Sequence, residues 1–167
     1  AIPLVSRLRN AVPEGHRASV HHGGTSQDVI DTAMMIQVRD GTGLLRTDLG
    51  RMLDALAILA RRHAATPAMG RTLLQDARPI ALGLRIAQWH AGIAQAWTAF
   101  ARAVDENAVL QFGGAVGTRA GQNGKGEAVA RQLADMLGLP SAPPWHARRG
   151  GAAAIGAALA ILIGAVG

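Results

Sequence analysis

Residues 27–63 read QDVIDTAMMIQVRDGTGLLRTDLGRMLDALAILARRH, and their spacing decides the fold class. Leu45, Leu49, Met52, Leu56 and Leu59 step by 4, 3, 4 and 3, which lines one face of a helix or a bundle seam. At about 1.5 Å per residue, one helix over this stretch approaches about 55 Å, far beyond an ordinary globular helix. Gly41 and Gly43 weaken its middle and predict a kink there. Thr66-Pro67 ends it.

The flanking sequence continues in the same manner. A short helix is expected over residues 2–9, then a loop through Pro13, Glu14 and Gly15. The stretch PAMGRTLLQDARP (67–79) reads as a loop leading to a second helix over 79–104, with Pro79 in its first turn. Residues 111–118, QFGGAVGT, read as a glycine-rich turn or a close backbone approach. Helical pattern returns over 125–137 and stops at GLPSAPPW. Hydrophobic residues make up 49% of the 167-residue chain but aromatics only 3%, and β-branched, aromatic-rich strands are hard to find. The fold class is therefore all-α.

The 18 uncharged residues from Gly150 to Gly167 approach the roughly 20 apolar residues a membrane span needs. Their Ala and Gly content makes them weakly hydrophobic, and a buried bundle helix is the better reading. The run ends without a cap or polar tail, so the C-terminus reads as a cut. Cysteine is absent, which excludes disulfides and thiolate chemistry. The N-terminus shows no export pattern. Net charge is +6, and all but one of the 17 basic residues are Arg. They are scattered rather than gathered on one face, which argues against nucleic acid and leaves two readings, a solvated or interface surface and attraction of an anionic small molecule.

One polar cluster sits where the long helix begins: HHGGTSQD, residues 21–28. Thr25 and Asp28 have capping-box spacing, and Ser26 is an equally good N-cap. Capping alone leaves His21, His22 and the paired glycines unexplained. Helix-start amides with two hydroxyls can hold a carboxylate, glycines allow close approach, and an imidazole can donate a hydrogen bond or a proton. A metal site from His16, His21 and His22 lacks the helical i, i+4 spacing of zinc sites. GQNGKG fails as a phosphate loop, because Gly126 follows Lys125 and Arg119 stands where a glycine is needed.

HHGGTSQDVIDTA, GRTLLQDARPIALG (70–83) and QFGGAVGT, in this order and spacing, resemble the signature regions of the fumarase/aspartase superfamily. The likeness spans the whole chain. Within the superfamily it is nearest to the branch of cycloisomerases that lactonise carboxymuconate, on Gln27, on Leu73 where most members carry a catalytic histidine, on LQFGGAVGT and on PWH (144–146). The branch usually follows PWH with Thr-Gln-Arg-Asp-Arg. Here Ala147-Arg148-Arg149-Gly150-Gly151 stands instead, without the Thr and Gln that would touch substrate.

The resemblance implies a long-helix bundle, incomplete in this chain. Residues 1–64 would be the end of an N-terminal helical domain running into the first bundle helix, and 65–167 the first part of the central bundle. It implies a cytoplasmic homotetramer with active sites shared between subunits, acting on a polycarboxylate, with no metal, organic cofactor, nucleic acid or membrane involved. A serine-rich loop ending in Met-Pro-x-Lys would follow Gly167. On this reading His21 and Ser26 are catalytic, with His21 an orienter or proton-transfer group. Thr25, Gln27, Arg71, Thr72, Gln111, Gly114 and Thr118 bind substrate. Another β-elimination lyase, such as one acting on adenylosuccinate, and a non-catalytic helical assembly module are the alternatives.

Overall fold

The computed structural model describes residues 2–167. Five helices form: α1 (Ile2–Ala11), α2 (Ser26–Arg62), α3 (Leu82–Asn107), α4 (Gly126–Leu137) and α5 (Gly150–Val166). Short 3-10 helices occupy Glu14–Ser19 and Ala120–Gln122. α2 runs 37 residues as one helix through Gly41 and Gly43. Two helix-weakening glycines cost about 1 kcal/mol each, which a helix this long absorbs through its packed face.

The stretch expected to be a loop is a β-hairpin, β1 (Pro67–Thr72) against β2 (Gln75–Ala81). Pro79 lies in β2 opposite Met69 rather than in a helix, and α3 starts three residues later. A two-stranded ribbon leaves outward amide positions unpaired, so it tolerates a proline that donates nothing. Register shifts between Met69 and Arg71, and a Cβ on the intervening Gly70 would lie 2.6 Å from the Arg78 carbonyl oxygen. Arg71 pairs with Asp76 across the strands at 3.4 Å. The two-residue turn is Leu73-Leu74, both at positive φ (45° and 63°).

The chain forms two compact units, one from the N-terminus to Asp40 with Glu106–Ala152, the other Gly41–Asp105 with Ala153–Gly167. In the second, α3 buries Ile86, Ile93, Ala96, Phe100 and Val104, and α5 buries Ile155, Ala158 and Leu162. These are stripes at helical spacing. The other faces of α5 remain outward, with Ile161 and Ile163 more than 60% exposed. Gly83 is buried at the foot of α3, where a Cβ would meet the Ala60 carbonyl oxygen at 2.4 Å, so only glycine allows this approach to the end of α2. No helix among the described residues is long and apolar enough to cross a membrane.

In the first unit Met35, Leu110, Phe112, Ala130, Ala134, Leu139 and Trp145 form the core. α4 ends at Gly138 in the left-handed conformation (φ 62°), with the Leu139 amide returning to the Ala134 carbonyl. Arg39 of α2 donates to the carbonyls of Leu137 and Gly138 at 2.6 and 3.0 Å. Its positive charge thereby sits at the negative end of α4.

Candidate active site

Two carboxylates one turn apart on α2 organise the first unit. Asp28 is 4% exposed and accepts four hydrogen bonds. Its Oδ1 takes the Gln111 side-chain amide and the Gly113 backbone amide, both at 2.9 Å. Oδ2 takes the amides of Gly114 at 2.9 Å and Thr25 at 3.0 Å. The Thr25 bond is the returning half of a capping box, and the Thr25 carbonyl accepts from the Asp28 amide at 3.1 Å. The same side chain that starts α2 thus clips the glycine-rich loop onto it. Four donors on one buried carboxylate compensate its loss of hydration.

Asp31, also buried, accepts two bonds from Arg149 at 2.6 and 3.0 Å. The guanidinium lies 5.1 Å from the centre of the Trp145 ring. Hydrogen bonding and charge from Asp31 raise the Arg149 pKa above its ordinary value, outweighing desolvation. That stabilisation is complete below the ordinary arginine pKa and would fade only as pH rose past the raised value. One residue past Asp31, the Thr32 hydroxyl donates to the Gln111 carbonyl (2.8 Å) and accepts from the Gln111 amide (3.1 Å). Two turns of α2 therefore fix both 111–114 and 145–149.

The glycine loop also meets the histidine turn. A Cβ on Gly114 would strike the Gly23 carbonyl oxygen at 2.7 Å, and one on Gly121 the Gly23 Cα at 2.8 Å. The Gln122 side-chain amide donates to the His22 carbonyl at 2.7 Å. His21 takes the left-handed conformation (φ 62°) and turns its ring against Gly24. A left-handed non-glycine residue stores about 1–2 kcal/mol, which the surrounding bonds must hold.

His21, Thr25 and Gln111 line a cavity of about 700 Å³ that is mostly apolar, walled by Leu4, Leu8 and Leu133 among others. Ser26 and Gln27 are exposed on the first turn of α2, where amides lack intrahelical acceptors. Thr118 is exposed on the loop. Gln111 has its whole side chain committed: its nitrogen serves Asp28 and His146, and its oxygen accepts from the Trp145 amide at 2.6 Å. The Gly114 amide is likewise taken by Asp28. Arg71 and Thr72 are exposed on β1 of the second unit. Among the described residues, no three His, Asp or Glu side chains converge as metal ligands would.

Sequence reading missed two residues that this geometry brings forward. Asp28 looked like a helix cap only, since nothing in its spacing pointed 85 residues ahead to Gly113. His146 stood out only as part of PWH, yet its Nδ1 lies 3.3 Å from the Gln111 amide nitrogen.

Residues 8–163 match the lyase family, and the chain belongs to that family, within the fumarase/aspartase superfamily. It is 43% identical over 171 residues to the 3-carboxy-cis,cis-muconate cycloisomerase of Bradyrhizobium diazoefficiens, covering all of this chain and 38% of that one. The crystal structure of the 3-carboxy-cis,cis-muconate lactonizing enzyme from Pseudomonas putida superposes with a TM-score of 0.93 at 36% identity, over 99% of this chain and 38% of that chain. A nitrosuccinate lyase of Streptomyces davaonensis is 41% identical over 157 residues, 89% of this chain and 33% of its own. The chain thus spans well under half the length of these relatives.

Proposed function

We propose that the protein is a cycloisomerase that closes 3-carboxy-cis,cis-muconate to its lactone. The observation that carries this reading is the agreement of the chain with the lactonizing enzyme along 99% of its length, together with the stapling of HHGGTSQD to QFGGAVGT. In the reaction a carboxylate oxygen of the substrate adds to a carbon of the double bond. The π electrons move to the carbon α to another carboxylate, and that carbon takes a proton. Charge accumulates on the activated carboxylate, so catalysis needs donors already aimed at it.

The first turn of α2 supplies them. Its dipole, the open amides at Ser26 and Gln27, and the hydroxyls of Thr25 and Ser26 hold one substrate carboxylate. His21 orients the substrate or moves the proton. The backbone from Gly114 to Thr118 completes the cradle, and Gln111 contributes through the groups it holds. Arg71 and Thr72 bring charge and a further hydroxyl within a cytoplasmic homotetramer whose active sites are shared between subunits. The outward apolar faces of the second unit, including Ile58, Ile161 and Ile163, suit burial in such an assembly. In it, residues 1–64 carry an N-terminal helical domain into the first bundle helix, and 65–167 begin the central bundle.

His21→Ala and Ser26→Ala, made in the protein expressed from its complete coding sequence, test the assignment. Each lowers kcat/KM for carboxymuconate by roughly 10²-fold, the usual effect of removing one donor or proton-transfer group. Near wild-type values in both variants would show that the site lies elsewhere. The likeness to a nitrosuccinate lyase makes nitrosuccinate the control substrate, whose preferred turnover would favour β-elimination over lactonisation.

A further inference from the structure

We infer that His146 is an additional substrate-binding residue, a neutral imidazole that donates a hydrogen bond from Nε2 to a substrate carboxylate at the glycine loop. This rests on the reading of the site as a polycarboxylate site and adds a residue that reading does not contain.

The tautomer follows from Gln111. Its oxygen must face the Trp145 amide, 2.6 Å away, and its nitrogen must face the Asp28 carboxylate, 2.9 Å away, so the amide cannot be turned over. The second proton on that nitrogen then points to His146 Nδ1 at 3.3 Å, which accepts. The ring proton is therefore on Nε2. Among the described residues Nε2 has no partner, and no buried polar side-chain atom is left unsatisfied, so Nε2 is open to solvent. Its place is set by the loop: a Cβ on Gly117 (φ 77°) would meet the ring's Cε1 at 2.8 Å and Nε2 at 3.6 Å. Glycine there lets the imidazole edge lie against the backbone between Gly114 and Thr118. A fixed tautomer, an open N–H and a loop shaped around the ring form a directed donor. Such a donor stabilises charge on the carboxylate without itself transferring a proton.

Two substitutions separate this from a structural role. His146→Gln places an amide N–H near the position of Nε2, whereas His146→Asn places its amide near Nδ1, where its oxygen can still accept from Gln111. In the complete protein, His146→Asn lowers kcat/KM for carboxymuconate roughly 10²-fold with KM raised, while His146→Gln stays within about tenfold of wild type. Calorimetric binding of tricarballylate, a tricarboxylate that does not react, follows the same order. The reverse order, equal losses, or no loss in either variant overturns the inference. Wild-type protein that binds tricarballylate in a His146-dependent way but leaves carboxymuconate unchanged would contradict the proposed reaction and uphold the donor. Protein that binds no tricarboxylate contradicts both.

Discussion

The Asp28 carboxylate ties the start of α2 to the glycine loop and to the Gln111 side chain through four donors. Its spacing from Thr25 announces a capping box, and the Thr25 amide does return to its carboxylate. Nothing local announces the amides of Gln111, Gly113 and Gly114, because pairings across more than 80 residues leave no periodic trace. Replacing Asp28 with Asn puts an N–H₂ where an oxygen now accepts two donors. Asp28→Asn is therefore expected to destabilise the protein by about 3 kcal/mol, the range for buried bonds to a charged group, measured by denaturant unfolding. A change under about 0.5 kcal/mol would mean that the carboxylate is not the staple described. Gln111 teaches the opposite lesson. Glycines beside it mark a site, but its own amide is spent on Asp28, His146 and Trp145, so its influence on a substrate passes through the groups it holds.

At the level of elements, the helices were legible and the hairpin was not. Apolar steps of 3 and 4 carry α2 and α3, and GLPSAPPW ends α4 as its Gly and Pro require. β1 and β2 contain one β-branched residue each, Thr72 and Ile80. Their turn, Leu73-Leu74, lacks the Asn-Gly or Asp-Gly that signals a two-residue hairpin. The strands are held instead by backbone pairing, the Arg71–Asp76 ion pair and the glycine at the bulge. Two leucines at positive φ, 91% and 96% exposed, are poor residues for that turn. Leu73→Asn with Leu74→Gly should raise stability by about 1–2 kcal/mol and Tm by about 2–8 °C. A fall in Tm would show instead that the leucines are buried against something in the assembled protein.

Over the molecule as a whole, composition pointed to an all-α class, while order and spacing of three motifs pointed to a superfamily; the family match and the superposition bear out both. Substrate chemistry is a finer matter. HHGGTSQD and QFGGAVGT are brought together in one unit, but the stretch Ala147–Gly151 lacks residues the cycloisomerase branch usually carries there. In this structure that segment holds Arg149, whose pairing with Asp31 and stacking on Trp145 keep the PWH turn in place. That brace rests on Arg149, the one position of the five at which this chain keeps the residue of the usual run, so the departure itself lies at Ala147, Arg148, Gly150 and Gly151. The measurement that bears most directly on the proposed reaction is turnover of 3-carboxy-cis,cis-muconate by the complete wild-type protein, with the product identified by NMR. Complete conversion to the lactone, in preference to any elimination from nitrosuccinate or adenylosuccinate, is the predicted result. Folded protein that leaves carboxymuconate untouched, or that releases an elimination product from either other substrate at a higher kcat/KM, would contradict it.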